Sequence, residues 1–499
     1  MDWFSKSILG QWFVTGVLLG IGFVFPILWV LGIVGGAYFI YLLKQTQTLK
    51  TRYLGAWLAW TIKTAFASVW FWSTYPIDWL PVEIGKVQLL LIGGYWLIAS
   101  LCLGAGGIVV VLAWQYGQNL VKSKYFFWGL SIPSAWVMGE VVGSIVFSIV
   151  ALGPGGTINS SLSFGYSGYL LAEHQWFMLV AKMAGVYSLS FGFILLAISL
   201  LKLTKFITQQ YHYVLLVFII LLSVSANLPI LNKTVEVAEG YKVVTIDTNF
   251  PAHILRDKGG AAMMSDELSE AMTAALTEEP DYILLPEDAR FFAQRSNPAA
   301  VKAFFQFQYH NPTAVIVDSG RVDTGDNTFL QTFIYTGGKN KIEQVHKRYL
   351  VPQGEFLSYF LSGLLRLIGY GDVIDQVSRG ESYQVGPNTD QSSLSENVPG
   401  ILFCFESVAP TGVWTLLKER PNLPFVAHPI SHGWFHESKI LWHELDTMLK
   451  IQAVWNNKYI VSAGSHAEGK VYTPKGEVKS LTVVEEGDRW KVKRVDIPK

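Results

Sequence analysis

Charge is scarce in this 499-residue chain, where Asp, Glu, Lys and Arg make up 15% of residues against 51% hydrophobic ones. So small a charged fraction argues against an ordinary soluble protein and for a membrane protein. Net charge is missing as well: 38 basic residues balance 38 acidic ones. No global field or basic tract therefore attracts nucleic acid. Cysteine is almost absent. Cys102 lies in an apolar run and Cys404 in a polar half, surroundings too different for a structural disulfide. P-loop and dinucleotide fingerprints are lacking. Gly165-Tyr-Ser-Gly-Tyr169 also lacks the closing glycine of a serine nucleophile elbow.

What is present is segregated along the chain. Residues 1–232 hold seven apolar stretches long enough to cross a ~30 Å hydrocarbon core. They lie near 9–25, 27–43, 53–72, 87–114, 127–150, 177–201 and 211–230. Pro26 joins the first two tightly, the fourth is long enough to tilt, and Pro133 is expected to kink the fifth. Lys6, Lys44, Lys50, Arg52, Lys122, Lys124, Lys202 and Lys205 all fall on one side, which the positive-inside rule makes cytoplasmic. A cytoplasmic N-terminus and seven spans then place residues 233–499 outside. The first span has no A-x-A-like cleavage site and reads as an uncleaved anchor. Lys63, Glu140 and Lys182 interrupt apolar runs, and intramembrane charge is costly enough to be a functional candidate. The plainer alternatives are snorkelling by Lys182 and a helix–helix hydrogen bond from Glu140.

After residue 232 the periodicity changes. Short β-rich runs appear at 243–246, 282–285, 314–317, 329–335, 401–404 and 459–462, with helical stretches at 265–277 and 437–455 between them. This alternation predicts one α/β unit, a sandwich of sheets with helices outside, over residues 233–499.

Chemistry is expected where strands end. Glu287 closes Leu284-Leu-Pro-Glu287, Lys347 precedes Leu350-Val-Pro-Gln-Gly-Glu355, which ends in Glu355, and Cys404 ends a strand-like run. A thiol is a weak nucleophile until deprotonated. A carboxylate within reach can take its proton, and an ammonium can stabilise the oxyanion of a tetrahedral intermediate. Each residue alone has a bland alternative: a core cysteine, a Pro-Glu turn, a solvated lysine.

In this order and at these separations, the three motifs resemble the Glu-Lys-Cys triad of the nitrilase, or carbon-nitrogen hydrolase, superfamily. With the multi-span N-terminal half, the chain resembles that superfamily's membrane-embedded apolipoprotein N-acyltransferase family. The likeness extends over the Pro26 hairpin, Trp136 with Glu140, Phe164-Gly-Tyr166, Gly185 to Phe191, Cys404-Phe-Glu406, Trp434-Phe435 and His443. It implies a membrane helical bundle joined to an extracytoplasmic αββα sandwich. It also implies Glu287 as general base, Lys347 as the cation at the oxyanion and Cys404 as the nucleophile. Glu355 would orient the lysine, Glu406 would support the site, and Asn327 would match an asparagine near it. The implied reaction is ping-pong acyl transfer in a bacterial inner membrane. The donor is a phospholipid, usually phosphatidylethanolamine, and the acceptor the lipid-modified N-terminal cysteine of a lipoprotein. No metal or organic cofactor is implied.

The residues support a lipid substrate on their own terms. Phe356 to Ile368 is strongly apolar; near a membrane it could serve as a lid or arm that admits acyl chains, and otherwise as a buried helix. Arg366 within it could meet a phosphate or snorkel. Phe405 and Trp434 are further substrate-contact candidates. Several positions depart from the family pattern, namely Gln353, Phe405, Ser431, His432, Gln452 and Trp455, and they bear on donor or acceptor choice. The chain also ends in a polar segment where the family has an eighth span. His428, His432, His436 and His443 cluster without a recognised metal spacing. Two further readings are a membrane-anchored amidase or hydrolase using the same triad, and a silent scaffold on the same fold.

Overall fold

The computed structural model describes residues 7–77, 87–206, 240–251, 254–292, 303, 305, 312–325, 327–337, 341–372, 374–375 and 382–499. Its N-terminal half is helical, since a helix satisfies every backbone group of an apolar run internally. The helices are α1 (Ile8–Val24), α2 (Trp29–Gln45), α3 (Leu49–Ala67), α4 (Val87–Gly104), α5 (Gly106–Leu120), α6 (Ile132–Val150) and α7 (Gln175–Phe206). Among the described residues four segments are long and apolar enough to cross a membrane: Pro26–Gln45, Gln88–Leu120, Lys124–Val150 and Gln175–Leu203. Helix α1 is shorter, at 17 residues. The stretch expected at 53–72 divides into α3 and a 3-10 segment, Val69–Thr74. That expected at 211–230 lies outside the described residues. Pro133 lies inside the continuous helical span Lys124–Val150, directly after a π-helical segment at Phe127–Ser131, where the backbone hydrogen-bonding pattern departs from the α-helical one.

Small residues let these helices approach closely. A Cβ on Gly106 would fall 2.3 Å from the Gly139 carbonyl oxygen, so α5 and α6 meet backbone to backbone. Helix α7 is interrupted at Ala184 and Gly185, where Gly185 takes a φ of 58°. The indole of Trp455 fills the space a side chain there would need, 2.6 Å from an added Cβ.

The C-terminal half is an α/β sandwich. Its first strand, β1 (Gly240–Thr248), pairs antiparallel along its whole length with the last, β9 (Trp490–Pro498), and parallel with β2 (Tyr282–Leu284). Strand β2 runs parallel to β3 (Val315–Thr324), which continues antiparallel through β4 (Asn327–Thr336) and β5 (Lys341–His346). A second parallel set, β6 (Gly400–Ile401), β7 (Val426–Ser431) and β8 (Ile460–Ser465), touches β1 at Thr248 and Ser465.

Alternating side chains sort these strands into layers. Val244, Ile246 and Ile316 pack with Leu268, Ala271 and Met272 of α8 (Gly260–Thr277). Val243, Val315 and Val317 turn the other way, onto Phe403, Ala427 and Val461. Leu402, Val426 and Ile460 face outward onto α10 (Gly412–Glu419) and α11 (Lys439–Asn456). The result is helix, sheet, sheet, helix. Helix α9 (Tyr359–Leu367) stands apart from these layers, and Leu365 is its buried residue.

One expected strand is corrected. The run 401–404 is a strand only at its start, and Cys404 opens a 3-10 segment, Cys404–Val408. The cause is Glu406, whose carboxylate accepts from the Phe403 amide at 3.1 Å and turns the chain out of the sheet.

Candidate functional site

Three segments bring the candidate residues to the same end of the sandwich. Beyond β2, Pro286 carries the chain over so that the Glu287 amide donates to the Ile430 carbonyl near the end of β7, 3.4 Å away. Lys347 follows β5 directly, and its amide donates to the Leu330 carbonyl at 2.9 Å. The next segment, Val351 to Glu355, folds back on itself. Gln353 takes a φ of 67° there, and the Val351 amide donates to Glu355 Oε2 at 2.8 Å. Trp434 packs against Gly354, where an added Cβ would lie 2.5 Å from the indole.

Lys347 is fully enclosed between two carboxylates. Its Nζ donates to Glu287 Oε1 at 3.0 Å and to Glu355 Oε1 at 2.7 Å. Burial acts to discharge the ammonium, but Glu287 and Glu355 outweigh it and hold the lysine pKa above its usual value. Burial raises Glu287 above the ordinary carboxylate range, with Glu355 adding to it and Lys347 opposing. Both directions follow from two carboxylates sharing one cation away from water: the lysine keeps its charge and Glu287 holds a proton more readily.

Cys404 is buried, and its thiol donates to the Ser431 carbonyl at 3.6 Å. Burial, then the Glu287 carboxylate, push this thiol up to about 12, with Lys347 opposing. At neutral pH it is a thiol rather than a thiolate, so reaction requires a partner that removes its proton. Glu406 anchors the Cys404 segment by receiving the amides of Arg348 at 2.5 Å, Tyr349 at 3.3 Å and Phe403 at 3.1 Å. It ties the chain just after Lys347 to the chain around Cys404. Glu406→Ala strands these amides and is expected to cost about 3 kcal/mol or more. Chemical denaturation would measure it, and a loss below about 1 kcal/mol would show that the tie is dispensable.

Glu287, Glu355 and Cys404 line a cavity of about 380 Å³, together with Phe405 and Trp434. Its opposite wall comes from the helical half: Trp70, Phe71, Ile92, Tyr95, Phe147 and Phe164. Leu361 and Leu365 of α9 also reach it, while Tyr359, Phe360, Leu364, Leu367 and Ile368 are exposed. The 356–368 stretch is therefore not a buried helix. Arg366 lies on α9, ion-paired with Asp375 and away from the cavity lining. Asn327 opens β4 at its turn with β3, likewise outside the lining.

The histidines disperse. His428 is buried in β7 with Nδ1 2.9 Å from Ser462 Oγ, and burial lowers it to about 3. His432 lines the cavity, His436 meets the Pro76 carbonyl at 2.9 Å, and His443 pairs with Glu173 at 2.7 Å. Among the described residues no three potential ligands gather as a metal site would require. Phe164 belongs to a motif the sequence carries, but the sequence did not single out Glu444, which is buried and raised by burial to about 8, or Trp70, Phe71, Tyr95 and Phe147, which close the cavity from the helical half. Nothing marks those among the many aromatics of apolar runs.

A search of curated proteins supplies the comparison. An apolipoprotein N-acyltransferase of Aquifex aeolicus (strain VF5) is 22% identical over 239 residues, 48% of this chain and 51% of that protein. The chain resembles apolipoprotein N-acyltransferase. It spans about half the length of this acyltransferase relative. No family model matches. Among solved structures, a CN-hydrolase superfamily protein from Xanthomonas campestris aligns with a TM-score of 0.32 at 14% identity, over 52% of this chain and 91% of that one. A glutamine-dependent NAD(+) synthetase from Cytophaga hutchinsonii aligns with the same score at 10% identity, over 52% and 43%.

Proposed function

We propose that this chain is a membrane acyltransferase that carries an acyl group on Cys404 as a thioester. The donor is a phospholipid, with phosphatidylethanolamine as the expected class. The acceptor is the α-amino group of the diacylglyceryl-modified N-terminal cysteine of a lipoprotein. The observation that carries this reading is one cavity with two unlike walls. One wall holds a buried carboxyl–ammonium–carboxyl cluster and a thiol, and the other is apolar and comes from the helical half, with Ile92, Tyr95 and Phe147 on helices of membrane-spanning length.

In the first half-reaction Glu287 takes the thiol proton as sulfur attacks the ester carbonyl. Lys347 stabilises the oxyanion, and the lysophospholipid alcohol leaves with the proton from Glu287. In the second, the amine attacks the thioester carbonyl, the C–N bond forms, the C–S bond breaks, and a proton returns to sulfur through Glu287. Glu355 holds Lys347 in place during both. The apolar wall limits access of water, which would otherwise hydrolyse the thioester. Phe405 and Trp434 border the acyl group, whereas Asn327 and Arg366 keep no direct role. The reading includes a transmembrane domain over residues 1–232 and a catalytic domain over 233–499. It places the N-terminus in the cytoplasm and the catalytic domain on the extracytoplasmic face of a bacterial inner membrane.

The test is incubation with phospholipid labelled in its acyl chains. Label should appear on Cys404 and be released by hydroxylamine, then move to a diacylated lipopeptide when one is added. An amidase acting with water as acceptor would take no label from lipid. The acylation rate should also fall as pH drops through the raised pKa of Glu287, because the protonated acid cannot accept the thiol proton. An acid limb at ordinary carboxylate pH, about 4.3, would remove Glu287 from that role.

A further inference from the structure

The helical half contains a charge cluster with no place in the chemistry above. Lys63 on α3 and Glu140 on α6 are both buried, with Nζ and Oε1 3.3 Å apart. The ammonium also lies 4.2 Å from the ring centre of Trp60. Glu140 Oε1 receives two further donors, Trp136 Nε1 at 3.2 Å and the Ser167 backbone amide at 2.6 Å. Ser167 Oγ in turn receives Trp136 Nε1 at 3.0 Å and Lys63 Nζ at 3.4 Å. The pair is thus wrapped around the end of one loop.

That loop, residues 162–168, is buried throughout. Its other end leads to Cys404. Ser163 Oγ donates to the carbonyl of Val408, the last residue of the short helix that Cys404 opens, at 2.6 Å. Leu162 and Phe164 line the cavity beside Cys404, and Ser144 Oγ donates to the Leu162 carbonyl at 2.6 Å. Gly165 has a φ of 76° and lies against Thr64 and Ala67 of α3, the helix that carries Lys63. An unbroken series of contacts therefore joins the buried ion pair to the segment that bears the thiol.

We propose that Lys63 and Glu140 are positioning residues: through loop 162–168 they set the Cys404–Val408 segment and the cavity wall beside it. The inference rests on Cys404 being the reacting group. Glu140 does its work as a hydrogen-bond acceptor for Ser167 and Trp136, and Lys63 is the counter-charge that makes a carboxylate tolerable in an apolar bundle. A neutral acceptor of the same shape should therefore replace the pair.

Three variants separate positioning from stability and from direct participation. Lys63→Met leaves a carboxylate without its partner and should slow Cys404 acylation by labelled phospholipid at saturating donor roughly tenfold or more. Lys63→Met with Glu140→Gln keeps the acceptor oxygen, removes both charges, and should recover most of that rate. Ser163→Ala cuts the link to Val408 and should slow acylation roughly fivefold with little change in melting temperature. Alkylation of Cys404 by a small maleimide, followed by mass spectrometry on the intact full-length protein, reads the same segment without any acyl transfer. It should change in Lys63→Met and Ser163→Ala and return toward wild type in the double variant. A wild type that takes no acyl label but shows these alkylation changes would sink the acyltransferase reading and leave the positioning inference standing. Unchanged alkylation in Ser163→Ala, or a double variant as slow as Lys63→Met alone, would overturn the inference.

Discussion

Cys404→Ala is expected to lose acyl transfer by roughly a thousandfold or more, with the fold retained. The thiol occupies little volume at the head of a short helix, and its hydrogen bond is a long one, 3.6 Å to the Ser431 carbonyl. Removing a sulfur from such a contact costs little stability, but it removes the atom on which the acyl group would rest. Thermal unfolding should therefore stay within a few degrees of wild type while transfer falls to background. Cys404→Ser is expected to be nearly as inactive, since its hydroxyl is a much weaker nucleophile and a poorer leaving group. Measurable transfer by Cys404→Ala would rule out a cysteine-bound intermediate and leave the sandwich fold unaffected. Cys102 serves as the internal control, because it lies in α4 of the helical half and should never carry label.

Lys347→Met is expected to damage stability and activity together, which distinguishes it from Cys404→Ala. The ammonium is fully enclosed and makes two short contacts to carboxylates that are themselves almost completely buried. Removing one partner of a buried ion pair costs about 3–5 kcal/mol, because the remaining charge has neither water nor a counter-ion. Here two carboxylates are left facing one another. Transfer should fall by roughly a thousandfold, as expected for loss of the main oxyanion-stabilising charge. Adding Glu355→Gln to Lys347→Met removes one stranded charge and should restore part of the stability and none of the activity. Denaturation midpoints and acylation rates on the same preparations check both. A stable, inactive Lys347→Met would mean that water reaches the cluster freely.

The difference between what was legible in the sequence and what was not has a physical basis. Short β-rich runs located β1, β2, β3, β4 and β8, because the inner parts of these strands are buried on both faces between layers, and helical stretches located α8 and α11, each of which buries one face. The run ending at Cys404 was misassigned because a local contact won over propensity: Phe403 is a good strand residue, but the Glu406 side chain captures its amide. Glu287, Lys347, Glu355 and Cys404 converge as their motifs suggested, since each lies beyond a strand end or in a turn with little freedom. Asn327 and Arg366 could not be placed by spacing. One opens a strand at a hairpin turn, and the other is on an amphipathic helix whose register decides which face meets the cavity. The break in α7 at Gly185 was likewise hidden, because the side chain packed against it is that of Trp455, 270 residues further along the chain.

The cavity wall is assembled from both halves, and this limits how the chain can change. Trp70 stands 5.6 Å, ring centre to ring centre, from Phe435 of the sandwich and 5.0 Å from Phe164 of its own half. A larger or smaller residue at any of the three alters the space left for the other two. Drift at these positions should therefore be correlated. Swapping a helical half from a distant relative should yield a chimera that folds yet holds a misshapen pocket, until partners are exchanged across the seam.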